Sequence, residues 1–209
     1  MSLPLPLLQA RELACSRGDA ALFSGVHFEL AAGEALQIEG ANGSGKTSLL
    51  RILAGLTPPD EGEVSWRGRD IAGHRHLFQA ELGYLGHHLG LKSELTATEN
   101  LALGLGVHGI ARGERDLEPA LDRVGLGHRA DLPVRSLSAG QRQRVALARL
   151  LLQKAVLWIL DEPFTALDTD GVALVKVLAE AHLAQGGIVI LTSHQVVVLG
   201  PTMRKLSLS

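Results

Sequence analysis

Cysteine is almost missing from this sequence. Cys15 is the only one in 209 residues, so no disulfide can form within the chain, and a reducing compartment is compatible with it. An excess of charge of one sign is missing too. A formal net charge of −2 leaves no basic footprint for nucleic acid, and no nucleic-acid partner is expected. No apolar run is long enough to span a bilayer; the best, residues 188–199, is short and carries His194 and Gln195. The first eight residues are apolar but lack a basic start and a long hydrophobic stretch, so they do not read as a signal peptide. Any membrane association is therefore expected to run through a partner. Internal repeats, low-complexity tracts and sustained heptads are also absent, which excludes a coiled-coil arm. What is present, 46% apolar and 20% charged residues, is the make-up of one globular domain over residues 1–209 with an ample core.

The densest signal is Gly40-Ala41-Asn42-Gly43-Ser44-Gly45-Lys46-Thr47, which fits the phosphate-binding loop pattern G-x-x-x-x-G-K-[ST]. Residues 34–39 before it read as a strand, and residues 48–54 after it place Leu49, Ile52 and Leu53 at helical spacing. The glycines let the backbone curl so that its N–H groups face phosphate oxygens, and the helix adds the positive end of its dipole. Phosphate contacts are expected from Gly40 through Ser48. Lys46 is expected to reach the β- and γ-phosphates, and the Thr47 hydroxyl to ligate Mg²⁺.

The rest of the chain alternates in texture. Residues 7–15 and 26–30 look like strands around an Arg17-Gly18-Asp19 turn, with Cys15 packed in the first. Residues 63–66 and 82–85 are short strands, and 203–208 alternate like an edge strand. Residues 88–136 read as an inserted helical subdomain: Thr96-Ala97-Thr98-Glu99 is a capping box, and Leu117, Leu121 and Val124 form a stripe that Pro119 either starts or kinks. Residues 156–160 and 188–191 are apolar throughout, as in strands buried on both faces. Between them, residues 172–183 form an amphipathic helix with Leu174, Leu178 and Ala181 inward. His74, His76, His87 and His88 read as solvated loop residues rather than metal or haem ligands.

The strand at 156–160 ends in Asp161-Glu162. A carboxylate at the C-terminal end of a central parallel strand lies beside the phosphate loop. Asp161 is placed to hold Mg²⁺, and Glu162, pointing elsewhere, to orient or deprotonate a water. Ser138-Ala139-Gly140-Gln141 opens a long helix. It reads both as a capping box and as a second anion site, in which Ser138, the Gly140 N–H and the helix dipole face a γ-phosphate.

Taken in order, these motifs resemble the ATP-binding cassette family across nearly the whole chain. The resemblance implies an α/β phosphate-loop NTPase fold, with a parallel-sheet core, an antiparallel β subdomain and the inserted helices. It makes 40–47 the Walker A loop, 156–162 the Walker B strand with Glu162 catalytic, Asp168 part of the D-loop and His194 the switch histidine. Leu137-Ser138-Ala139-Gly140-Gln141 becomes the signature, with Ala139 where glycine is usual. His87 stands where the family has a glutamine that touches Mg²⁺ and water. Near Arg17 the usual adenine-stacking aromatic is missing, which leaves the Arg17 guanidinium for that place.

Leu85-Gly86-His87, Gly90-Leu91-Lys92, the 95–101 segment and Trp158 to Ala166 are most similar to ATP-binding subunits of cytochrome c maturation (haem exporter) systems of Gram-negative bacteria. That likeness implies an ATP-sandwich homodimer, with each signature acting on its neighbour's ATP. It also implies integral membrane partners, a peripheral place on the cytoplasmic face of the inner membrane, and haem handled by the complex rather than by this chain. The segment 87–103, with Leu89, Leu91 and Leu95, is the expected docking groove. A cassette subunit with another cargo, a soluble cassette ATPase and a phosphate-loop kinase are the alternatives at this point.

Overall fold

The computed structural model describes residues 6–18, 20–111, 113–195, 197–200 and 202–208. Most of the apolar N-terminal stretch and Asp19 of the expected turn lie outside them. Two sheets share the chain. The antiparallel one has the order β2-β1-β4-β5, built from β1 (Leu8–Arg17), β2 (Ala20–Leu30), β4 (Glu61–Trp66) and β5 (Arg69–Asp70). β2 starts at Ala20 rather than near Val26. Its Ser24-Gly25 interrupts the alternation, and the pairing absorbs this in register shifts near Leu13 and Cys15. Cys15 is partly buried, and burial, followed by the Asp60 charge, raises its thiol pKa.

The second sheet is parallel, in the order β6-β7-β8-β3-β9. Its strands are β3 (Ala35–Glu39), β6 (Leu82–Leu85), β7 (Leu157–Leu160), β8 (Ile188–Thr192) and β9 (Met203–Ser207). The side-chain period of two divides the core between the faces. Leu157, Ile159, Ile188 and Ile190 pack with helix α1 (Lys46–Leu53) and the antiparallel sheet. Trp158, Leu160, Val189 and Leu191 pack with the helices on the other side. Both faces are covered, so both strands are fully buried. β9 is an edge strand, as its alternation suggests.

Those helices are α3 (Ala97–Val107), α4 (Glu114–Arg123), α5 (Ala139–Gln153) and α6 (Thr169–Ala184). Thr96 and Glu99 close the expected capping box on α3. α4 begins at Glu114, so Pro119 lies inside the helix and does not start it; its ring is exposed while Leu117 and Leu121 are buried. The inward face of α6 is rotated from expectation. Gly171, Val175, Leu178, Ala179 and Leu183 are buried, and Leu174 and Ala181 flank them. His76 is not in a loop: it belongs to a short helix, α2 (Arg75–Ala80), for which His74 is the N-cap. Phe78, against Trp66 and the first core, holds that helix in place without any side-chain cap.

His182 of α6 stacks flat on Trp158, with ring centroids 4.1 Å apart and planes at 8°. Its Nε2 lies 3.0 Å from the Val156 carbonyl. Burial holds its pKa below the ordinary imidazole value. The unfolded chain therefore takes up this proton near pH ~6.5, before the folded one does, and stability is lost as pH falls below that point. We expect the Tm to drop between pH 7.5 and 5.5 in circular-dichroism melts, and His182→Phe, which keeps the stack, to flatten the drop.

Candidate active site

Between β3 and α1 the chain turns through Gly40, Gly43 and Gly45, all with positive φ. A Cβ on Gly40 would stand 2.5 Å from Ser44 Oγ and 2.9 Å from the Leu208 carbonyl. One on Gly45 would stand 3.0 Å from Leu22 and from the Phe23 ring. The loop is therefore tight enough to require glycine at both places. α1 has no side-chain cap, so its first-turn N–H groups are left to an anion. Lys46 Nζ donates to the carbonyls of Gly40 (2.8 Å) and Ala41 (3.0 Å), spanning the loop. The Ser44 hydroxyl is buried without a partner among the described residues.

The opposite wall comes from the ends of β7 and β8. Asp161 accepts from the Thr47 hydroxyl at 2.9 Å and from the Thr192 hydroxyl at 2.8 Å. Thr192 Oγ1 in turn accepts from the Glu162 N–H at 2.9 Å. Glu162 has φ 51°, a left-handed conformation unusual for a side-chain-bearing residue. Its Oε1 is buried, has no hydrogen bond among the described residues, and lies 3.6 Å from His194 Nε2.

These groups face a cavity of about 260 Å³. Asn42, Gly43, Gly45, Lys46, Thr47 and Ser48 form one side, and Asp161, Glu162 and His194 the other. Arg17 and Leu22 border it from the antiparallel sheet. Gly40, Ala41 and Ser44 are in the loop but do not line the cavity. His87 does not line it either: it is exposed beyond β6, edge-on to His88 with centroids 5.4 Å apart.

Ser138, Ala139, Gly140 and Gln141 are also away from this cavity. Ser138 and Ala139 are exposed, and Ser138 and Gln141 close a reciprocal capping box at 2.9 and 3.2 Å. Asp168 caps α6 through the Gly171 N–H (2.8 Å) and accepts from Arg144 (3.0 Å). The Gly171 N–H, with Arg144 adding to it, holds the Asp168 carboxyl below the usual range.

Sequence reasoning missed Thr192 and Gln143. Thr192 is the polar residue that ends a buried strand next to Asp161, and its position was the available signal. Gln143, buried in α5, donates to the Pro163 carbonyl at 3.2 Å, and no local pattern marks it.

Chemically, the cavity is shaped for a polyphosphate. Thr47 and Asp161 converge as hard oxygen donors, which fits a Mg²⁺ ion. Among the described residues no cluster of three His, Cys, Asp or Glu could hold a metal, so such an ion would complete its shell with phosphate and water oxygens.

Residues 23–165 match the ABC transporter family. The chain is 54% identical over 202 residues to the cytochrome c biogenesis ATP-binding export protein CcmA of Methylococcus capsulatus, covering 97% of this chain and 98% of that protein. It is 55% identical over 188 residues to the protein of that name from Pasteurella multocida, covering 90% and 88%. Among solved structures it superposes on an ATP-binding subunit of an ABC transporter with TM-score 0.80 at 28% identity, covering 90% of this chain and 80% of that one. A dimeric post-hydrolysis state of the ATP-binding cassette MJ0796 bound to ADP and Pi gives TM-score 0.77 at 26% identity, covering 90% and 88%.

Through one oxygen Thr192 donates to the Asp161 carboxylate and accepts from the Glu162 backbone N–H. Thr192→Val should slow phosphate release about tenfold, or ~1.4 kcal/mol in the barrier, with fluorescent-nucleotide affinity little changed. Stopped-flow phosphate detection on the purified protein checks this.

Proposed function

The chain belongs to the ABC transporter family, and from that premise we propose that it is the ATP-hydrolysing subunit of a membrane complex that exports haem, or releases it, for c-type cytochrome maturation. The observation that carries the chemistry is Glu162 Oε1, a carboxylate oxygen buried without a donor at the end of β7 across from the phosphate loop. Such an oxygen is suited to take a hydrogen bond from an attacking water. The names of the chain's relatives give export and cytochrome c biogenesis; haem as the cargo is the reading proposed here.

In this reading the loop from Gly40 to Ser48 cradles the phosphates of ATP. Lys46 leaves the carbonyls of Gly40 and Ala41 for the β- and γ-phosphates. Thr47 and Asp161 would hold Mg²⁺, which would supply neutralising charge on the phosphate oxygens. Glu162 orients the water and accepts its proton, and His194 contacts the γ-phosphate. Arg17 lies against the base. His87 reaches the water only once the loop after β6 moves inward.

Ser138 to Gln141 belong to a neighbour's site. Their separation from the chain's own phosphate cavity supports this, as does a dimeric cassette among the similar structures. Two copies then clamp two ATP molecules, with Asp168 near the seam. Binding closes the pair and hydrolysis opens it, because the phosphates bridge the halves. The whole chain acts as one cassette, with residues 88–136 as its helical part.

Among the described residues no helix is long and apolar enough to cross a membrane. In the proposed complex the motion passes to integral membrane subunits at the cytoplasmic face, with this chain peripheral and haem handled by the complex. The 87–103 segment remains the proposed docking region. Leu89 and Leu91 are half-buried against the helical core; Leu103, 46% exposed, is the large apolar residue of this segment open to a partner.

Glu162→Gln should bind Mg-ATP, hydrolyse it about a hundredfold or more slowly, and run as a dimer on gel filtration with saturating nucleotide. A monomer under those conditions would end the sandwich reading.

A further inference from the structure

The strand that delivers the phosphate loop carries a polar residue on a buried face. Gln37 of β3 is 1% exposed. It pairs with Leu191 of β8 on one side and Lys205 of β9 on the other. Ala35, two residues earlier, belongs to the core on the helical side, and the period of two puts Gln37 on that same face. An amide withdrawn from water among apolar neighbours is costly unless it is hydrogen-bonded.

Its partners lie in one turn. Gln37 Nε2 donates to the Gln195 carbonyl at 3.3 Å and, at the longer distance of 3.5 Å, to the Ser193 carbonyl. Those two carbonyls belong to the residues on either side of His194. The Ser193 hydroxyl accepts from the Gln195 N–H at 3.0 Å and closes the same turn from within.

The imidazole has little else to fix it. The His194 side chain is 61% exposed, and its Nε2 stands 3.6 Å from Glu162 Oε1, too far for a hydrogen bond. Its place is therefore set by its backbone rather than by packing. Thr192 anchors the entry to the turn through Asp161, and the chain re-enters the core at Val197 and Leu199. Between those anchors lie the residues that Gln37 holds.

We infer that Gln37 is a positioning residue for ATP hydrolysis, which through the carbonyls of Ser193 and Gln195 holds His194 where its imidazole meets the γ-phosphate. The inference rests on the reading of His194 as that contact. Gln37 lies three residues before Gly40, so one strand carries both the cradle of the phosphates and the brace of the histidine. Misplacing a catalytic group by ~1 Å can cost about a hundredfold in rate, and an imidazole that packing leaves free is exposed to that loss.

The test is a double-mutant cycle in ATP hydrolysis, measured on the full chain in its membrane complex. Gln37→Met keeps the length of the side chain and removes the donor. It should lower kcat about tenfold while KM for Mg-ATP changes less than about threefold, and it should have little further effect in a His194→Ala background. Gln37→Glu has a donor only when protonated, a form that burial favours; its activity relative to the unsubstituted chain should exceed that of Gln37→Met and climb as pH falls from about 8.5 to about 6. If Gln37→Met costs as much with His194→Ala as without it, the side chain acts on packing alone and the inference is overturned. Where Gln37→Met does not fold, or His194→Ala is too slow for the cycle, the Gln37→Glu profile decides: a relative activity low and flat across that range overturns the inference as well. His194→Ala hydrolysing ATP at the unsubstituted rate sinks the reading of His194 itself, and the role of Gln37 falls with it.

Discussion

Two hydroxyls hold one carboxylate, and most of the active site follows from that. Thr47 comes from the helix after the phosphate loop and Thr192 from the end of β8; both donate to Asp161 at the end of β7. Three separate segments thereby meet on a single buried side chain, 6% exposed. The parallel register makes the meeting possible. β7 pairs Leu160 with Leu191, so Asp161 and Thr192 leave adjacent strands at the same level. β3 lies on the other side of β8 and delivers the loop to that level as well. The Asp161 N–H is held by the Leu85 carbonyl on the remaining flank. A carboxylate fixed on every side costs little further reorganisation when charge arrives in front of it, which is the condition for electrostatic catalysis.

The same junction governs what comes after it. Glu162 and Ala166 both have positive φ, each an outlay of about 1–3 kcal/mol that surrounding contacts must offset. Thr192 fixes the first through the Glu162 N–H. α5 fixes the rest of the segment: Gln143 holds the Pro163 carbonyl, and Arg144 holds Asp168. Gly140 lies so close to Ala166 that a Cβ there would stand 2.8 Å from its carbonyl oxygen. The helix that opens with Ser138 is thus bolted to the loop that follows Glu162. A displacement of either in one molecule is a displacement of both.

Local chemistry was legible in the sequence and long-range contact was not. The phosphate loop, both buried strands and the capping boxes at Thr96 and Ser138 could be read because each signal lies within a few residues, and the structure contains all of them. The start of β2 could not, since Ser24 and Gly25 break its period and only pairing with β1 restores it. α2 escaped because its one anchor, Phe78, earns its place through Trp66, which lies in another element. The face of α6 was misjudged for a similar reason. Leu174 and Val175 are equally apolar in sequence, and packing against the sheet chose Val175. In the site, Asp161 and Glu162 were legible as a strand end, whereas Thr192 acquires meaning only from the strand next to it.

A lone copy of this chain has its phosphate loop and the helix start at Ser138 in separate places. Ser138 Oγ is already the acceptor for the Gln141 N–H, and the Gln141 side chain is occupied by the Ser138 N–H. What such a helix start still offers is the Ser138 O–H as donor, together with the dipole. Those are weak attractions for a solvated anion, because exposed helix-end effects amount to about 0.3–1 kcal/mol. They gain strength where water is excluded and the charge is already concentrated, as on a γ-phosphate held by Lys46 and the loop of another molecule. The helix end is therefore too weak to capture nucleotide alone, and in the proposed dimer it would close over nucleotide already bound. In the proposed dimer, that ordering would make closure dependent on ATP, and the loss of one phosphate would release the seam.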